Sequence, residues 1–186
     1  MIQGDKVTLR AIEPADVPLL WQWAQDEETM RFRDYPTPPS SLALAEKEYA
    51  DYVLDKSGCT LRLAITAEDG RLIGDVALRS IDERAGSAIF VIAIGDKSFW
   101  GHGYGSDATR CMIKYAFKQL NLHRVTLYVH SFNSRAIRVY EKCGFRREGI
   151  IREGQYMDGE YSDILIMGVL RREFEELERR NLPLAA

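Results

Sequence analysis

The sequence predicts a mixed α/β fold (α+β), and three observations carry the prediction. Two strand-like runs, 61–66 and 72–78, are joined by the turn signal Glu68-Asp69-Gly70 and read as an antiparallel hairpin. The almost wholly apolar run 88–94 suits a central strand covered on both faces, and it leads into a cluster of glycines. Beyond the glycines, Ala108, Met112, Tyr115 and Ala116 recur at helical spacing, and 124–130 again reads as a strand. Strand, glycine loop, helix, strand is the central order.

The flanking elements follow from local signals. Residues 6–10 alternate in polarity as a short strand does. Glu13-Pro14-Ala15-Asp16 places a proline and carboxylates where a helix begins, so a first helix is expected through Leu19, Leu20, Trp21 and Trp23. Pro36, Pro38 and Pro39 exclude regular helix over 33–40, and Ser40 or Ser41 can cap an amphipathic helix over 42–54. A short helix over 134–143, stopped by Gly144, precedes strands over 145–151 and 162–169. The charged run 171–180 reads as a solvated terminal helix.

A chain of 186 residues, 46% hydrophobic and 28% charged, suits one folded domain over 1–186. Its longest apolar stretches, such as 164–170, are far short of the roughly 20 residues that span a bilayer, and the N-terminus lacks a signal pattern. A cytoplasmic protein with no membrane partner is expected. Cys59, Cys111 and Cys143 are odd in number and widely spaced, which suggests reduced thiols and neither a disulfide framework nor a zinc site. A formal net charge of −3 provides no basic field for nucleic acid.

In Trp100-Gly101-His102-Gly103-Tyr104-Gly105-Ser106, three glycines alternate with larger residues just before a helix. Glycine lets the backbone approach a ligand closely, and the positive end of the helix dipole favours an anion there. A pyrophosphate fits that description. No Gly-Lys-Ser/Thr follows, which excludes a Walker A loop, and no convincing ribose-binding acid follows, which excludes a dinucleotide fingerprint.

The segment from Ile94 to Gly105 resembles motif A of the GNAT acetyltransferase superfamily, Q/R-x-x-G-x-G/A. Trp100 stands in its first position, and Gly103 and Gly105 take its glycine positions. The segment from Asn133 to Phe145 resembles motif B, N-x-x-A-x-x-x-Y-x-K-x-G-F, and the run from Glu148 to Asp163 is similar to the spermidine and ribosomal-protein alanine acetyltransferase branch. The resemblance implies a three-layer fold: a mostly antiparallel sheet of six or seven strands, splayed at its centre, with helices on both faces. It also implies acetyl-CoA as co-substrate, with no metal.

Carried over residue by residue, the resemblance runs the pantetheine and thioester beside Ile92, Ala93, Ile94 and Gly95. It places the pyrophosphate at Trp100, Gly101, His102, Gly103, Tyr104, Gly105 and Ser106, with Asn133, Arg135, Ala136, Tyr140 and Lys142 flanking the cofactor. Tyr140 matches the general acid, since a phenol with a reference pKa of about 10 can protonate a leaving thiolate. Taken alone, Tyr140 reads as a core aromatic, Asn133 as a helix N-cap, and Arg135 and Lys142 as solvated charges.

The family's strand glutamate is missing near Ile89 and Phe90, which leaves Glu28, Asp34, His130, Glu148 and Asp163 as sources of a general base, directly or through water. His102 and His130 otherwise suit solvent-facing or capping roles. The acceptor is a protein N-terminus, a polyamine or a small-molecule amine, shaped by segments 31–40 and 152–163, and Glu27, Glu28 and Asp34 suit a cationic one. The branch implies a homodimer. The rival reading is a regulator that binds acetyl-CoA without catalysis.

Overall fold

A computed structural model describes residues 1–32, 39–54, 57–157 and 159–181. One sheet carries β1 (Ile2–Gln3), β2 (Val7–Ala11), β3 (Leu61–Ala67), β4 (Leu72–Asp82), β5 (Ser87–Ile94), β6 (Arg124–His130), β7 (Arg146–Met157) and β8 (Glu160–Leu170). Their spatial order is β1-β2-β3-β4-β5-β6-β8-β7. Every neighbouring pair is antiparallel except β5 and β6, which run parallel. The helices are α1 (Val17–Trp23), α2 (Glu27–Met30), α3 (Leu42–Leu54), α4 (Tyr104–Lys118), α5 (Ser134–Lys142) and α6 (Arg171–Asn181).

Two cores lie on opposite faces of the sheet. Successive strand residues point to opposite sides, and on β3 the neighbours Ala64 and Ile65 show the division. Ala64 joins Ile12 and Leu20 in a small core partly covered by Trp23 and Tyr49, from α1 and α3. Ile65 belongs to the larger core with Met112 and Ile113 of α4, Ile137 of α5 and Phe174 of α6. Helices therefore cover both faces, as expected.

Three expectations are corrected. Among the described residues the sheet has eight strands rather than six or seven; the additional β1 is two residues long, too short for a periodic signal. Strands β7 and β8 run further than expected, so most of segment 152–163 is hairpin. Arg152, Glu153 and Gln155 hide β7 in the sequence because this edge strand is largely exposed and shows no apolar alternation.

The terminal helix is not merely solvated either. Phe174 is 2% exposed and packs on Phe117, with ring centroids 5.7 Å apart. A buried Phe→Ala change removes both transfer energy and packing, so Phe174→Ala is expected to cost roughly 3–5 kcal/mol in urea unfolding. A midpoint unchanged from wild type would return α6 to the solvated role.

Candidate active site

Strands β5 and β6 are in register only where Ser87–Ile89 meet Arg124–Thr126. Beyond that point β5 stays on β4 as far as Ile94, while β6 stays on β8 as far as His130. The strands diverge, and a wedge opens at the centre of the sheet. It leads into a cavity of about 350 Å³.

One wall is the diverging end of β5, at Ile92, Ala93 and Ile94. The second is the glycine loop. Asp96 caps a 3-10 turn over Lys97–Phe99 by accepting the Ser98 N–H, and the Trp100 indole donates to the Ile94 carbonyl at 2.8 Å. The loop ends at Gly103, the N-cap of α4, whose φ of +90° lies in the left-handed region that glycine occupies without strain. The first N–H groups of a helix have no intrahelical acceptor. At α4 no side chain of the N-cap takes them, and Gly101, Gly103, Gly105 and Ser106 all line the cavity.

The third wall is α5. Asn133 caps it, its Oδ1 accepting the Ala136 N–H at 3.1 Å as the N-cap reading expects, and Asn133 also lines the cavity. Tyr140 is a core aromatic that also lines the cavity. It is 8% exposed, packs edge-on against Phe90 and Phe145, and still reaches the cavity wall. Arg135, Ala136 and Lys142 stand on the same wall. The Arg135 guanidinium lies 3.9 Å above the Trp100 ring and 5.3 Å from that of Phe32. Burial there pulls its pKa down, against the opposing pull of Glu28.

Three expected residues stand off the wall. Gly95 gives its space to Trp23, since a methyl placed on it would lie 2.1 Å from the indole. His102 is exposed, and Tyr104 packs edge-on against Phe99 with the Lys6 ammonium 5.5 Å from its ring. Conversely, Arg138 and Val139 line the cavity and went unmarked in the sequence. Their signal was available: 135, 138, 139 and 142 share one helical face. Thr29 and Phe32 also reach the cavity from the distant α2 region, with no local signal to mark them.

Among the described lining residues the charged ones are Arg135, Arg138 and Lys142, with no Asp or Glu. Helix dipole and side-chain charge therefore both make the potential in the cavity positive. None of the described base candidates is on its wall. Glu28 pairs with Lys97 at 2.8 Å. The same ammonium and the Thr29 N–H hold the neighbouring Asp26 carboxylate down at about 2. Glu148 forms a two-pronged ion pair with Arg124, at the far end of β6. Asp163 accepts the Glu153 N–H at 2.8 Å. His130 corrects its expected solvent-facing role: it is 1% exposed and stacked on Phe132. Asp34 lies outside the described residues. No group of His, Cys, Asp or Glu among those residues is suited to a metal, and no described helix is long and apolar enough to cross a membrane.

This arrangement has close parallels. A spermidine N-acetyltransferase from Vibrio cholerae, solved in complex with CoA and spermine, superposes with a TM-score of 0.83 at 28% identity, over 91% of this chain and 98% of that one. The Vibrio cholerae spermidine N(1)-acetyltransferase sequence is 29% identical over 92% of this chain and 96% of its own length. The putative ribosomal N-acetyltransferase YdaF of Bacillus subtilis is 29% identical over 92% and 95%. The model of the acetyltransferase (GNAT) domain matches residues 6–146, taking in the wedge, the glycine loop and α5. With splayed strands, a glycine-capped helix start on the cavity and a family match over most of its length, this chain belongs to the GNAT family of acetyltransferases.

Proposed function

We propose that this acetyltransferase moves the acetyl group of acetyl-CoA onto a primary amine by direct attack within a ternary complex. The observation that carries the reading is the cavity between β5 and α5, whose described lining has three cationic side chains and no carboxylate, with the uncapped start of α4. The diphosphate end of acetyl-CoA suits that helix start, with Gly103, Gly105 and Ser106 giving backbone N–H groups and Arg135, Arg138 and Lys142 giving charge. The amide-bearing arm suits the edge of β5 at Ile92–Ile94, which has left its β6 partner. Asn133 and Ala136 face that arm from α5.

Acetyl-CoA supplies an activated thioester. A backbone N–H near Ala93 polarises its carbonyl, and the Tyr140 hydroxyl gives its proton to the departing sulfur. Relatives named for spermidine and for ribosomal acetylation support an amine acceptor of protein, polyamine or small-molecule kind. We further read residues 1–186 as one domain, supported by a main core that draws residues from Val7 to Phe174. A cytoplasmic location would keep its free cysteines reduced. The assembly we expect is a homodimer, to be checked by sedimentation at micromolar concentration.

The test is calorimetric titration with acetyl-CoA, followed by free-thiol release across N-terminal peptides, polyamines and aminoglycosides. Binding with release is the expected result and names the acceptor class. Binding without release would favour the non-catalytic regulator, and no binding would sink the reading.

A further inference from the structure

The three cations of the described cavity lining are not equivalent. Arg135, Arg138 and Lys142 are all exposed on one face of α5. Among the described residues none of them forms an ion pair or a side-chain hydrogen bond. Glu28, the carboxylate whose field reaches Arg135, is committed to Lys97 at 2.8 Å. Ring contacts separate the three. Among the described residues Arg135 lies against two aromatic rings, and Arg138 and Lys142 lie against none.

The corner that holds Arg135 is built from distant segments. The Trp100 indole donates to the Ile94 carbonyl at 2.8 Å, which pins the ring to the diverging end of β5. The Arg135 guanidinium lies 3.9 Å over that ring and 5.3 Å from the ring of Phe32. Phe32, just beyond α2, meets Trp100 edge-on, with ring centroids 6.1 Å apart and planes at 83°. All three residues line the cavity. A ring face attracts a cation through its quadrupole, more strongly where water is excluded. Such a contact restrains the guanidinium without consuming its N–H donors, whereas a carboxylate partner would take them. Arg135 is therefore held in place, charged, and able to offer a planar fork to an oxyanion.

Resting on the acetyltransferase reading above, we propose that Trp100 is a positioning residue, which presents the Arg135 guanidinium to the diphosphate end of acetyl-CoA. Trp100 acts through that guanidinium and not by touching the phosphate. Phe32 closes the corner from the α2 side. Arg138 and Lys142, with no ring against them, give up more side-chain freedom on binding and contribute less.

The test is calorimetric titration of acetyl-CoA into Arg135→Gln, Arg138→Gln, Trp100→Leu, Trp100→Phe and the double variant Trp100→Leu/Arg135→Gln. Arg135→Gln is expected to weaken affinity about tenfold or more, the size of a lost charged hydrogen bond, and Arg138→Gln about threefold or less. Trp100→Leu removes no charge, yet is expected to cost about fivefold because the guanidinium loses its support. The double variant is expected to bind within about twofold of Arg135→Gln alone, whereas independent contributions would multiply. Trp100→Phe gives up the N–H to Ile94 but keeps a ring face, so it should bind at least about twofold more tightly than Trp100→Leu.

Losses that multiply in the double variant, or equal affinities of Trp100→Phe and Trp100→Leu, would make Trp100 only a brace for the loop and overturn the proposal. Wild-type affinity in Arg135→Gln would overturn it too. If Trp100→Leu does not fold, Trp100→Met takes its place in the cycle. The comparison of Arg135→Gln with Arg138→Gln needs no change at position 100, and equal losses there would also overturn the proposal. A wild-type protein that does not bind acetyl-CoA removes the acetyltransferase reading and this inference together. Wild-type binding with independent effects at the two positions removes this inference alone.

Discussion

Tyr140→Phe is expected to lower turnover by about 100-fold or more while leaving acetyl-CoA affinity close to wild type. The size is that of a lost general acid, typically 10²–10⁴ in rate. Affinity survives because phenylalanine keeps the ring that packs edge-on against Phe90 and Phe145, so the α5 wall stays in place. Turnover is read from thiol release at saturating substrate, and affinity from calorimetry. A loss confined to affinity would mean that the hydroxyl only helps to hold the cofactor. Unchanged turnover would move the proton donor elsewhere.

Gly103→Val should act in the opposite way, weakening acetyl-CoA binding by about 100-fold or more, equivalent to roughly 2.7 kcal/mol. Space is not the difficulty, since the nearest atoms a Cβ would meet are the Lys6 Cε and Cδ, at 3.7 and 3.8 Å. Conformation is. At φ +90° a β-branched residue is a steric outlier, so the loop must change shape, and the N–H groups at the start of α4 turn away from the anion. The global fold should persist, because the exposed loop lies outside both cores. Calorimetry decides between the cases: normal affinity in a folded variant would place the pyrophosphate somewhere else.

The parts legible in the sequence are those determined by neighbouring residues. The alternating glycines of 101–105 announce a loop leading into a helix, Asn133 announces the start of α5, and the apolar run 88–94 announces a central strand. Each is a short-range effect of backbone sterics, capping or burial, and each survives whatever the rest of the chain does. The α5 face was legible too, since helical periodicity puts Arg138 and Val139 beside Arg135 and Lys142.

What depends on register between distant segments had no such signal. Nothing local tells β5 to part from β6 after Ile89, because that parting reflects their competing partners, β4 and β8. Nothing local buries His130 against Phe132 or Phe174 against Phe117. The sequence by itself determined the local geometry of the glycine loop and the helix that faces it. Tertiary structure decided which strands separate and which charges meet there, because long-range pairing is fixed by the packing of the whole sheet and not by any one segment's preference.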